Sequence, residues 1–204
     1  MSLASILESI VFASDAPVSM DRLAEMLPEQ ERSEIRAALS EMADFHEKRG
    51  GGFILAEVAG GWQFRTRSDF HEYVSRLVKS RPVKFSQSAL ETLAMVAYRQ
   101  PITRAEVEYL RGVDCGGVLK TLLEKKLIRI LGKKDIPGRP LIYGTTREFL
   151  EVFGLKDLKG LPTLKEIQAL DETPRIEQQE ELPLSPDKKV GPDIQLELDS
   201  QSSP

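Results

Sequence analysis

At 204 residues and 41% apolar composition, the chain has material for one or two domains with cores of their own. Its formal charge of −4 is unevenly placed: residues 171–204 hold 9 acidic and 3 basic residues with five prolines, leaving 25 basic against 23 acidic for the rest. A body so near neutral argues against a module built chiefly for nucleic acid, and a single cysteine, Cys115, excludes an internal disulfide and fits a reducing cytoplasm. Neither a signal peptide nor a membrane span is expected, because no basic stretch precedes a long apolar run.

Taken in order, Ser2 caps a helix whose Leu3, Ile6, Leu7, Ile10 and Val11 fall on one face. After a turn at Pro17-Val18-Ser19, Ser19 caps a short helix with Leu23, Ala24 and Leu27, ended by Pro28. A third helix carries Ile35, Ala38, Leu39, Met42 and Phe45 as its core face and stops at Gly50-Gly51-Gly52. Strands at 53–58 and 62–66 then flank Gly60-Gly61 as a hairpin. The next helix bears Phe70, Tyr73, Val74, Leu77 and Val78 as a broad apolar stripe. Either this small unit covers the stripe itself or a second copy does, and a homodimer through the first unit is the expectation drawn from it.

The same order then recurs. Arg81-Pro82 marks a hinge, and Ser86 caps a helix with Leu90, Leu93, Ala94 and Ala97 on one face. Thr103 with Glu106 forms a capping box, Gly112 ends that helix, and Asp114 caps a third with Val118, Leu119, Leu122 and Leu123 buried. Gly116 and Gly117 imply close backbone packing. Strands at 127–131 and 141–145 flank a wing from Gly132 to Pro140, and Thr145 with Glu148 opens a closing helix with Phe149, Leu150 and Phe153. Helix, proline turn, capped helix, third helix and hairpin is the order of a winged helix. The expected architecture is therefore α+β and mostly helical: two tandem winged-helix domains at 1–80 and 86–164, a linker at 81–85, and a disordered acidic, proline-rich tail at 165–204.

Motif and charge narrow the chemistry. Gly112 to Thr121 fails as a phosphate-binding loop, since Val118-Leu119 separate the glycines from Lys120. Cys115, His46 and His71 have no neighbours in sequence that suit zinc or a nucleophile, so packing is the better account of them. No cofactor, metal or catalytic residue is expected. In the first unit's third helix Glu31, Glu34, Glu41 and Asp44 outnumber Arg32 and Arg36, a poor face for phosphate. Lys133 and Lys134, with Arg139 in the same wing and Lys120, Lys125, Lys126 and Arg129 nearby, are candidate phosphate contacts. Arg139 also suits bracing the wing or meeting a partner carboxylate.

Tyr98-Arg99-Gln100-Pro101-Ile102-Thr103-Arg104-Ala105-Glu106, Arg111-Gly112-Val113-Asp114 with Gly117-Val118-Leu119, Pro137-Gly138-Arg139-Pro140, Tyr143-Gly144-Thr145-Thr146 and Phe149-Leu150 with Phe153-Gly154-Leu155 together resemble bacterial segregation and condensation protein B. The resemblance is dense from about residue 86 to 164, and the first unit is similar in layout more than in motif. It implies a non-enzymatic homodimeric subunit that binds the kleisin, segregation and condensation protein A, and through it the SMC ATPase. It also implies a role in chromosome condensation and segregation during cell division, in the cytoplasm at the nucleoid, with direct DNA contact weak and no membrane partner. Leu90, Leu93, Tyr98, Arg139, Tyr143 and Phe149 are the residues expected to meet the kleisin, and the stripe from Phe70 to Val78 to meet a second copy. The alternative is a winged-helix DNA-binding transcriptional regulator whose third helices enter the major groove.

Overall fold

A computed structural model describes residues 2–78 and 85–163 together with Glu166. The hinge at Arg81-Pro82, the linker apart from Phe85 and the expected tail apart from Glu166 lie outside the described residues. Ser2 accepts a hydrogen bond from the Ser5 backbone N–H and starts α1 (Leu3–Phe12), and Ser19 does the same for Arg22 at α2 (Met20–Met26). In α3 (Arg32–Arg49) Glu31 and Glu34 close a capping box, and Gly50 in the left-handed conformation ends the helix. A hairpin of β2 (Phe53–Val58) and β3 (Gly61–Thr66) follows, then a single 3-10 turn at Ser68–Phe70 and α4 (His71–Val78).

The second unit repeats this with α5 (Gln87–Arg99), α6 (Arg104–Arg111), α7 (Gly116–Glu124), β5 (Ile128–Lys133), β6 (Leu141–Thr145) and α8 (Arg147–Val152), ahead of a 3-10 turn at Leu158–Gly160. Each unit has its own core, one around Leu7, Leu23, Ile35, Leu39 and Trp62, the other around Val96, Val107, Leu119, Leu122 and Leu127. The mixed winged-helix architecture expected from the sequence is the one observed.

Each sheet has three strands, because the segment read as a proline turn is itself a strand. The two residues of β1 (Val18–Ser19) pair antiparallel with β3, Val18 opposite Trp62, and those of β4 (Ile102–Thr103) pair with β6, Ile102 opposite Tyr143. Two residues are too few for an alternating pattern to register, so only the tertiary pairing reveals them. The first hairpin turn is Ala59-Gly60, both with positive φ (51° and 71°), as a tight primed turn requires. Gly61 already belongs to β3, where an added Cβ would lie 2.9 Å from the backbone of Pro17 and Val18.

Several side chains sit differently from expectation. Phe45 points outward at 61% exposure, while His46, one residue on, takes the core side. In α5 the buried face is Ala89, Thr92, Leu93, Val96 and Ala97, and Leu90 and Ala94 are exposed. Cys115, not Asp114, is the N-cap of α7, although Asp114 Oδ1 accepts the Gly116 N–H. Thr146 rather than Thr145 caps α8, because Thr145 is held inside by Gln100, whose Oε1 accepts its N–H at 2.8 Å. A side chain on Gly116 would meet the Arg104 guanidinium at 2.8 Å and one on Gly117 would meet nothing, so these glycines do not serve backbone packing.

The two units share a seam. Backbone N–H groups of Ala59 and Gly60 donate to the carbonyls of Leu155 and Lys156 at 2.8 and 3.0 Å. Around them Lys156 Nζ lies 2.7 Å from Glu57 Oε2, Arg65 donates to the Glu151 carbonyl and Arg147 to the Pro17 carbonyl. The tip of the first wing is thus used within the molecule.

Gly61→Ala should lower the stability of the first unit by about 1–3 kcal/mol, since backbone would have to shift to admit the methyl group. Gly117→Ala should leave the second unit equal or more stable. Urea unfolding followed by the fluorescence of Trp62, the sole tryptophan, reads the first, and circular dichroism the second; equal losses in both variants would contradict the packing described.

Candidate partner-binding surfaces

On the first unit, aromatic residues gather around His46. Phe45, Phe53 and Phe64 place their ring centroids 5.1–5.4 Å from the imidazole, and Phe12 meets Phe64 edge-on at 6.5 Å. His46 is buried, with Nε2 3.5 Å from Glu8 Oε1 but without a hydrogen bond, so its role is packing. The outer rings are not covered: Phe12 is 78% exposed, and Phe53 also opens to solvent. Exposed aromatic rings gathered in one place mark a candidate interaction surface. The sequence hides it, because Phe12 lies off the core face of α1 and Phe45 falls at core spacing in α3.

Alongside it, α4 leaves Tyr73 at 67% and Leu77 at 82% exposure, with Phe70 and Val78 also exposed and Val74 half-buried. The stripe is therefore not packed onto its own unit. Arg67 fixes its approach, donating through Nε to the Gly51 carbonyl and through both terminal nitrogens to Glu47.

On the second unit the expected kleisin-facing residues divide. Leu93, Tyr143 and Phe149 are buried in the core, which corrects their assignment to a surface, since a side chain already enclosed has no face left for a partner. Leu90 and Arg139 are exposed, and the half-open ring of Tyr98 donates its hydroxyl to the Pro162 carbonyl at 2.7 Å. A groove of about 430 Å³ lies instead beside α6, lined by Pro101, Ile102, Ala105, Tyr109 and Leu110 with Arg99 and Glu106 at its rim. Tyr109 is 87% exposed there. The segment is held firmly: Arg111, largely buried, donates to the Ser88 carbonyl and to Thr92 Oγ1 and pairs with Glu91.

The second wing is basic but not uniformly free. Lys134 Nζ lies 2.6 Å from Glu106 Oε1, so it is already paired, whereas Lys133, Arg139 and Arg129 form no ion pair among the described residues. Overall neutrality also hides a polarity: residues 2–78 carry 13 acidic and 8 basic residues, and residues 85–163 carry 9 acidic and 13 basic. Counting charge by unit would have found this in the sequence. Cys115 is buried, no group of three or more His, Cys, Asp or Glu among the described residues is placed to hold a metal ion, and no helix there is long and apolar enough to cross a membrane.

A family model described as segregation and condensation complex subunit ScpB matches residues 5–164. The chain belongs to the ScpB family. Segregation and condensation protein B of Syntrophotalea carbinolica is 51% identical over 170 residues, which is 83% of this chain and 86% of that protein. The crystal structure of ScpB from Mycobacterium tuberculosis is 40% identical over 75% of this chain and 95% of that one, with a TM-score of 0.36. A crystal structure of a dimer of the ScpB N-terminal domain complexed with ScpA peptide matches 36% of this chain and 91% of that one, at 25% identity and a TM-score of 0.34. The resemblance first carried by the blocks of the second unit thus extends across both units of this ScpB-family chain.

Glu106 supplies a pH-dependent test of the α6 region. Hydrogen bonding to the Lys134 ammonium, then to the Thr103 backbone and hydroxyl, lowers its pKa from 4.5 to about 2. A depressed carboxylate stabilises the fold above its unfolded pKa and loses that contribution as pH falls through the folded one. Stability of the second unit should therefore fall between about pH 4.5 and 2 more steeply in the native chain than in Glu106→Gln, by an amount reduced by the pair's exposure. Chemical denaturation followed by circular dichroism across that range checks it; parallel curves would remove Glu106 from the account.

Proposed function

We propose that this chain is a non-enzymatic subunit of the bacterial SMC complex. It dimerises through its first unit, binds the kleisin segregation and condensation protein A, reaches the SMC ATPase through that kleisin, and takes part in chromosome condensation and segregation during cell division. The observation that carries the reading is the uncovered apolar surface of the first unit, Phe12, Phe45 and Phe53 with the stripe of α4, in a chain whose family is named for a complex subunit. Aromatic anchors of this kind gain most of their interaction energy on being enclosed by a partner. The groove beside α6 supports the kleisin part: its apolar floor and charged rim suit an amphipathic helix laid into it.

A regulator reading the major groove gains little support, because α3 carries no basic excess, with Glu34, Glu41, Asp44 and Glu47 against Arg32, Arg36, Lys48 and Arg49. Weak direct DNA contact is favoured only by the basic excess of the second unit and by Lys133 and Arg139, which lack ion pairs among the described residues.

In the full chain, Tyr73→Asp with Leu77→Asp should give a monomer by light scattering at tens of micromolar, with its circular dichroism unchanged; a persisting dimer would place the interface elsewhere. Tyr109→Asp with Leu110→Asp should weaken kleisin binding about tenfold or more while leaving its shallow salt dependence unaltered. Any DNA binding should lose about 1.8 from its log–log salt slope in Lys133→Glu with Arg139→Glu, at about 0.9 per phosphate contact. Tight sequence-selective DNA binding without kleisin binding would replace the subunit reading by the regulator.

A further inference from the structure

No residue of α4 is buried, although Tyr73, Val74, Leu77 and Val78 line one face of it and Phe70 continues that face at its start. A helix of eight residues is marginal in water by itself, so its apolar face needs a surface to lie on. The root of this arm is fixed: Arg67 donates to the carbonyls of His46, Glu47 and Gly51 and to both carboxylate oxygens of Glu47, which holds the start of the arm at the end of α3. Phe70 lies against Gly52, where an added Cβ would be 3.9 Å from its ring. The arm therefore begins beside Phe53, at the margin of the aromatic cluster around His46, and yet it leaves Phe12 and Phe45 of its own unit open.

Area decides what the arm meets. At about 200 Å² for an aromatic side chain, the exposed part of the stripe offers on the order of 400 Å² per copy, and stripe and cluster together on the order of 800 Å². A stable interface takes about 800 Å² from each partner, so α4 laid on its own copy alone supplies about half of what is needed. We infer that the first units of two copies exchange arms, α4 of each lying over Phe12, Phe45 and Phe53 of the other. A two-fold axis near Phe53 and Phe70 brings this about, because the arm starts at the margin of its own cluster and its eight residues extend about 12 Å from there. Tyr73 and Leu77, one turn apart on the same face, then meet the partner's rings. Each cluster is closed only by side chains of the other copy. The inference rests on the reading that the chain dimerises through its first unit, and it names which surfaces meet.

Complementation between two variants of the full chain tests it. Tyr73→Asp with Leu77→Asp spoils the arm, Phe12→Asp with Phe45→Asp spoils the cluster, and all four positions are exposed, so neither substitution enters a core. Each variant alone should sediment as a monomer with its circular dichroism unchanged, and a mixture of the two should recover a heterodimer through the one arm and the one cluster left intact. Cross-linking under mild oxidation reads the same geometry, since a disulfide needs Cα atoms within about 7 Å. A Leu77→Cys chain mixed with a Phe12→Cys or Phe45→Cys chain should give a covalent dimer, and Leu77→Cys alone should give none; the native Cys115 is buried. A native dimer whose Leu77→Cys chains couple to one another, while the mixed Asp variants stay monomeric, would overturn the exchange and leave dimerisation through α4 standing. A monomeric native chain would remove both. If the cluster variant stays a dimer but loses the kleisin, the rings belong to the kleisin and the exchange falls.

Discussion

Two backbone hydrogen bonds, from Ala59 and Gly60 to the carbonyls of Leu155 and Lys156, decide how the rest of the structure presents itself. With them the first hairpin is clamped to the chain that leaves α8, and the surrounding contacts of Lys156 with Glu57, Arg65 with the Glu151 carbonyl and Arg147 with the Pro17 carbonyl prevent sliding. Arg65 and Arg147 donate to defined backbone carbonyls and Lys156 pairs with Glu57, so the seam is specific as well as adhesive. The turn at Ala59-Gly60 is part of the same device, because its two residues, both at positive φ, carry the donating N–H groups.

From that fixed arrangement the surfaces acquire distinct characters. The acidic first unit carries its uncovered aromatic rings and the stripe of α4, and the basic second unit carries a groove and a free wing. Apolar burial is non-directional and strong, which suits holding a subunit in an assembly, whereas the unpaired cations of the second wing act at longer range and give way to salt. The two units derive from one plan and are put to different uses.

How much of this was legible in the sequence depends on how local each signal is. Ser2, Ser19, Ser86 and Thr103 were readable as caps because capping is decided within three residues. Residues one step from a boundary were not. Thr145 has the local pattern of a cap but is locked by Gln100, forty-five positions away, a contact no local pattern contains. Hydrophobicity alone ranks Phe45 above His46 for the core, whereas the imidazole is the ring packed against Phe53 and Phe64 of the hairpin. Leu93, Tyr143 and Phe149 show the converse: residues that carry a family resemblance suggest a contact surface, yet these three build the core. The stripe of α4 was readable from its spacing, and its exposure needed the structure.

The seam also bears on how much the chain tolerates changes of length. A loop lengthened at the end of an ordinary hairpin costs little, since closure entropy grows only slowly with added residues. In the second wing, where residues 134–140 form no hydrogen bond or ion pair with the first unit among the described residues, such growth would be absorbed at the surface. In the first wing the turn is a joint, and one inserted residue between Ala59 and Gly60 would move both donors off their acceptors and let the units part. Of two equivalent hairpins in one polypeptide, one is therefore free to vary in size while the other is held to two residues.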